Sequence, residues 1–129
     1  MNNIVKELKD VGVFYVATID GDKPRVRPFS SVTEYEGKIY FCTNNTKDVW
    51  KQLEKNPYVE ISGFKNGEWI RVSGKLVNDD RLEVKKAMLE DPTGPSQIYK
   101  YDDEIFKVMY LDEAKCMKYS FTSEPVEIK

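Results

Sequence analysis

The chain has 129 residues, a length that fits one domain with a real core but not two ordinary ones. Its formal net charge of −2, with acidic and basic residues interspersed, excludes the broad basic field that holds nucleic acid and the polybasic tail that holds a membrane surface. It contains no histidine, which removes Ser-His and Cys-His triads and imidazole ligation of zinc or haem, so any chemistry is expected from a cofactor.

The opening residues MNNIVKELKDVG lack the apolar core of a signal peptide, and no apolar run approaches the roughly 18–20 residues that span a bilayer. A cytoplasmic protein without membrane contact is expected. Cys42 and Cys116 form no C-x-x-C motif and are expected to be reduced core residues, with no metal site.

In chain order, residues 3–11 place Ile4, Leu8 and Val11 at helical spacing and predict a short amphipathic helix that ends at Gly12 and lies over the rest as a lid. VFYVATI (13–19) is rich in β-branched and aromatic residues, and Asp20-Gly21 predicts a turn into a second strand, PRVRPFSSVT (24–33). Glu36-Gly37 turns the chain into KIYFCT (38–43). Residues 46–56 put Val49, Trp50 and Leu53 on one face of a second helix, stopped by Pro57. Residues 57–64 and 68–77 predict a hairpin around Asn66-Gly67. Asp80-x-x-Glu83 is a capping-box-like start for a third helix that Pro92 ends; 92–103 is loop-like; 105–112, 114–121 and 125–128 predict closing strands. About seven short strands joined by tight turns favour a mainly β antiparallel barrel with short helices over a parallel sheet. No repeat and no domain boundary within 1–129 is expected.

Three stretches carry chemistry. In TNNTKD (43–48) a lysine stands at a helix start, where partial positive charge and unpaired N–H groups disfavour a cation by roughly up to 1 kcal/mol. Asn45 or Thr46 is the expected cap, and with Asn45 as cap Asp48 falls third in the helix. Lys47 reads either as a solvated surface lysine or as part of a phosphate site, since helix-start N–H groups, hydroxyl and amide side chains and a lysine suit that anion. In RVRPF (25–29), strand alternation puts Arg25, Arg27 and Phe29 on one face, which must meet water, a carboxylate or a bound anion; Pro28 lacks an N–H and argues for an edge. In WIRVSG (69–74), Trp69, Arg71 and Ser73 share a face, suited to a flat aromatic ligand or simply to each other. Tyr99, Tyr101 and Tyr110 add aromatic surface near the loop, and Gly-rich nucleotide motifs are absent.

The ordered set RPF, YFCTNNTKDVWKQLEKNPYVEISG and WIRVSGK resembles the pyridoxamine 5'-phosphate oxidase-like family of FMN-binding split β-barrels, and within it the small members described as general stress protein 26-like. The resemblance covers residues 13–78 and implies a split antiparallel barrel that binds FMN as a homodimer, with two flavins in clefts between subunits. It implies that Lys47, Asn45 and Thr46 hold the phosphate, with Arg25 or Arg27 reaching it or the ribityl chain. Main chain at Arg27, Pro28, Phe29 and Ser30 would line the isoalloxazine near Thr43 and Asn44, and Trp69 and Arg71 would contact the partner's flavin.

The chain also departs from the family. The oxidase proper has an Arg-Lys pair where this chain has Thr46-Lys47, and its late histidine and arginine for pyridoxal phosphate have no counterpart. Nitroimidazole-reductase-like and haem-handling relatives rely on histidines missing here, and F420-binding relatives share the barrel. The resemblance implies an FMN-dependent oxidoreductase acting on a small molecule, with no protein acid or base assigned. Its alternatives are a non-catalytic flavin carrier or sensor and a cofactor-less dimeric interaction module.

Overall fold

In the computed structural model, which describes residues 2–129, the strands form one antiparallel sheet of eight members. The elements are α1 (Asn3–Val11), β1 (Phe14–Asp20), β2 (Lys23–Phe29), β3 (Thr33–Tyr35), β4 (Lys38–Asn44), α2 (Asp48–Lys55), β5 (Tyr58–Lys65), β6 (Glu68–Asn78), α3 (Leu82–Glu90), β7 (Phe106–Ser120) and β8 (Val126–Ile128). The neighbours run β2-β1-β5-β6-β7-β4-β3, with β8 added to β7. This is the mainly β, split-barrel architecture expected, with β2 and β3 at the two ends of the main strand path and β8 paired to β7 alone.

Strand alternation dictates the core. Phe14 and Val16 of β1, Ile61 of β5, Ile70 and Val72 of β6 and Phe41 of β4 all turn inward and are essentially fully buried. Helix α1 closes one end with Ile4, Val5 and Leu8, so it is part of the core rather than a lid. It starts because Asn2 Oδ1 accepts from the N–H groups of Ile4 and Val5, at 2.8 and 3.2 Å, and stops because Gly12 takes a φ of +78°. Helix α2 adds Val49 and Leu53 to the same core. Tyr40 of β4, Val84 and Met88 of α3, and Phe106 and Val108 of β7 form a second cluster, so β4 is buried on both faces.

Four local expectations change. The strand expected over 24–33 divides: β2 ends at Phe29, three residues cross the barrel, and β3 begins at Thr33 on the opposite edge. The two strands expected at 105–112 and 114–121 are one 15-residue strand, β7, that continues through Glu113 at a φ of +57°. The register with β6 shifts there, between Ser73 and Lys75. Gly74 fits this bulge because a Cβ would meet the Asp112 carbonyl oxygen at 2.6 Å. The cap at α2 is Lys47, not Asn45 or Thr46, and Asp48 is the first helical residue. The D-x-x-E box does not form either: α3 starts at Leu82 after Arg81, and Asp79 Oδ1 accepts the Arg81 N–H at 3.2 Å.

Candidate ligand-binding cleft

Edge strand β2 pairs only with β1, so the face carrying Arg25 and Arg27 is free to meet α2 across an open gap. The gap is a cleft of ≈ 1020 Å³ bounded by the β1–β2 turn, β2 and the length of α2. Five cations line it, Arg25, Arg27, Lys47, Lys51 and Lys55, against two carboxylates, Asp20 and Asp48. In a chain whose net charge is −2, this is a local excess of positive charge.

Arg27 is fixed by the protein. Its Nη1 donates to the Val16 carbonyl at 3.1 Å and to Thr18 Oγ1 at 2.8 Å, and its Nη2 donates to Gln52 Oε1 at 2.7 Å. The Thr18 hydroxyl donates to the same Gln52 oxygen at 2.5 Å. Burial pulls the guanidinium below its ordinary pKa, against the opposing effect of Asp48, but it stays charged. Nη1 has both hydrogens engaged, which leaves one donor on Nε and one on Nη2 without a protein acceptor. A half-buried arginine held this way is preorganised for an anion.

Lys47 caps α2 with no side-chain hydrogen bond, and among the described residues it has no ion-pair partner. The turn before it is rigid. Asn44 Oδ1 accepts from the Thr46 N–H at 3.0 Å and from its hydroxyl at 2.6 Å, while the Asn44 amide donates to the Tyr99 hydroxyl. The Asn45 N–H donates to the Ile105 carbonyl at 2.9 Å. The N–H groups of Asp48 and Val49, at the helix start, have no acceptor among the described residues. The free donors at this end are therefore Lys47, as expected, and the main chain of 48 and 49 in place of residues 45 and 46. Asn45 and Thr46 have their N–H groups engaged inside the protein, and Asn44 acts by shaping the turn.

The remaining candidates lie at two other places. None of Thr43, Asn44, Pro28, Phe29 and Ser30 lines the cleft: Thr43 and Asn44 are buried at the end of β4, Pro28 is exposed on the outer face of β2, Phe29 packs against the core, and Ser30 follows the end of β2. Trp69 and Arg71 lie outside the cleft, on the outer face of β6. Trp69 stacks on Tyr119 at 5.7 Å, and Arg71 Nε lies 3.6 Å from Glu60 Oε2. Cys42, on β4, has its thiol pushed up to about 12 by burial, which disfavours the thiolate. Reasoning from sequence missed Thr18, Gln52, Lys51 and Lys55. The lysines had a signal, the K-x-x-x-K-x-x-x-K spacing of 47, 51 and 55, which puts all three on one helix face.

A family profile described as Pyridoxamine 5'-phosphate oxidase matches residues 2–100. A NimC/NimA family protein from Clostridium acetobutylicum is 47% identical, with 97% of this chain and 88% of that chain covered and a TM-score of 0.92. General Stress Protein 26 from Bacillus anthracis shares the fold at 13% identity, covering 97% and 98% of the two chains at a TM-score of 0.71. A pyridoxamine 5'-phosphate oxidase-related, FMN binding protein from Nostoc punctiforme does so at 19% identity, covering 94% and 80% at 0.64. No curated protein matches.

Proposed function

Since the chain belongs to the pyridoxamine 5'-phosphate oxidase family, we propose that it binds FMN with the phosphate at the start of α2 and acts as a flavin-dependent oxidoreductase on a small molecule. One observation carries this reading. Lys47, the free N–H groups of Asp48 and Val49 and the two remaining donors of Arg27 line one cleft without an anion of the protein's own to satisfy all of them. A phosphate ester carries about −1.5 to −2 charges and three acceptor oxygens, which suits that donor set.

FMN supplies two-electron redox chemistry when bound, and the chain's part is binding, orientation and charge. Lys47 and the helix start hold the phosphate, and Arg27 is kept in place by Thr18 and Gln52. The hydrogen-bonded Asn44–Tyr99–Thr46 turn sets where Lys47 and the helix start stand, and main chain at Pro28, Phe29 and Ser30 is assigned to the ring from the family resemblance. No side chain is assigned as acid or base.

A homodimer belongs to the same proposal. The outer face of β1, β2, β5 and β6 exposes Tyr15, Val26 and Phe64, at 51%, 65% and 61%, beside Trp69 and Phe121. An apolar face of this kind on an otherwise charged chain is what a second copy covers. Docked there, a partner would bring Trp69 and Arg71 towards a flavin they do not reach within one chain. Among the described residues no helix is long and apolar enough to cross a membrane, and the proposed setting is the cytoplasm.

The test is the absorption spectrum of freshly purified protein between about 350 and 500 nm, where bound flavin is yellow. Colourless protein that takes up no added FMN overturns the reading. Turnover separates enzyme from carrier: if no donor and acceptor pair cycles the bound flavin faster than free FMN, the oxidoreductase part falls and storage or sensing remains.

A further inference from the structure

We propose that the outer half of the cleft, formed by Lys51, Lys55 and Arg25, is a second anion subsite, and that the protein accordingly takes a ligand carrying an organic diphosphate. The inference deepens the reading above and rests on its placing a first phosphate at the inner end of the same cleft.

The inner end already offers donors for one phosphate: Lys47, two free N–H groups and the Arg27 donors line the same cleft. Lys51 and Lys55 are left over. Both line the cleft, both are exposed, and among the described residues neither has an ion-pair or hydrogen-bonded partner. Some lysines at contacts between elements are answered by the chain: Lys9, Lys65, Lys107 and Lys118 each hold a carboxylate within 3.5 Å. Glu54, on the same helix, makes no ion pair with either neighbour.

Like charges four residues apart on a helix destabilise it by roughly 0.2–0.5 kcal/mol per pair; α2 carries one such pair, Lys51–Lys55, and Lys47 stands at its cap four positions before Lys51. Helical rise separates successive members by about 6 Å, so the flexible ammonium groups of Lys47 and Lys51 can converge on adjacent phosphates, with Lys55 and Arg25 beyond them. Arg25 is only partly neutralised, its Nε lying 3.0 Å from Asp20 Oδ2 in a half-exposed pair. A cleft of ≈ 1020 Å³ is at the upper end of small-molecule sites and longer than one phosphate needs.

Isothermal titration of the full chain with ADP and with AMP tests this. ADP is expected to bind about tenfold more tightly than AMP, equivalent to about 1.4 kcal/mol, and the ratio is expected to fall to about one in the K51Q/K55Q double variant. Both lysines are exposed, so the variant folds; a circular dichroism melt confirms it. Equal affinities in the parent protein, or a preference that survives the double substitution, overturn the proposal.

Two further arms locate the diphosphate. FAD preferred over FMN, with the preference lost in K51Q/K55Q, puts it in the flavin. NADPH binding that competes with FMN, and is lost in the same variant, puts it in the electron donor. If neither gain depends on these lysines, the proposal is overturned. FMN uptake with equal ADP and AMP affinities would leave the flavin reading intact and sink only the diphosphate. A lysine-dependent ADP preference in a chain that takes up no FMN would do the reverse.

Discussion

Two charged regions of this molecule treat their cations in opposite ways. Beside α3, Arg81 is surrounded by protein acceptors: it bonds Asp79 and Glu36 at 2.9 and 2.7 Å, and lies 3.7 Å from Glu83. Asp79 in turn accepts the Tyr40 hydroxyl at 2.8 Å. That hydrogen bond and burial, burial being the larger effect, push Tyr40 up to about 12, while Arg81 holds Asp79 down to about 2. In the cleft, Lys47, Lys51 and Lys55 have no such answer. Charges answered within the chain hold elements together, whereas charges left open at a cleft wall are available to something outside it.

The contrast makes the two regions separable by mutation, stability falling in one and affinity in the other. The largest effect is expected beneath α3. Met88→Ala removes a fully buried side chain from the second cluster and is expected to cost about 2–5 kcal/mol in urea unfolding, with FMN affinity unchanged in the remaining folded protein. A parallel loss of affinity would show that the regions are coupled.

Lys47→Ala is expected to do the opposite. Unfolding free energy should stay within about 0.5 kcal/mol of the parent. FMN binding, followed by flavin fluorescence, should weaken about 10- to 100-fold, as loss of a charge-assisted contact implies. Riboflavin, which has no phosphate, should bind both proteins alike. Equal losses for the two ligands would contradict the phosphate assignment.

Asp79→Asn sharpens the paired side through pH. A carboxyl whose folded pKa is depressed contributes stability that is present above its unfolded pKa, near 3.8, and is lost as pH falls through about 2. Thermal melts should therefore show the variant less stable by about 1 kcal/mol at pH 7, with the gap closing between pH 4 and 2. A gap that persists at pH 2 would mean packing, not charge, is responsible.

The smallest effect is expected at Gln52→Leu, which removes the acceptor shared by Arg27 Nη2 and the Thr18 hydroxyl and so loosens one of the phosphate's donors without removing it. Loosening one positioning hydrogen bond should raise the FMN dissociation constant about threefold. No change on FMN titration would mean that Arg27 does not need to be held.

Much of the fold was legible because strand alternation and turn dipeptides are local signals. Ile70 and Val72 are buried while Arg71 is exposed, as the period of two requires, and Asn66 and Gly67 both take positive φ in the hairpin turn. Pro28 correctly marked an edge strand. What failed depended on distant partners. Nothing local to 24–33 shows that the strand must be divided between two edges, and Glu113 at positive φ is tolerated because Gly74 gives way opposite it. The helix cap was misplaced by up to two residues because Asn44 spends its oxygen on Thr46. In the site, Lys47 and the arginines could be found by charge and position. Gln52 and Thr18 could not, since a glutamine and a threonine acquire meaning only once folding sets them beside Arg27.

The crossing between β2 and β3 has a consequence of its own. Residues 30–32 join β2 to β3 without a ladder, and the loop after α3 stitches them down: Ser31 Oγ donates to the Thr93 carbonyl at 2.6 Å, and Thr93 Oγ1 both accepts the Val32 N–H and donates to its carbonyl at 3.0 Å. One threonine thus acts as a latch on the barrel's open side. Breathing should begin along that line, so the width available to a guest beside β2 is governed from a residue some sixty positions further along the chain.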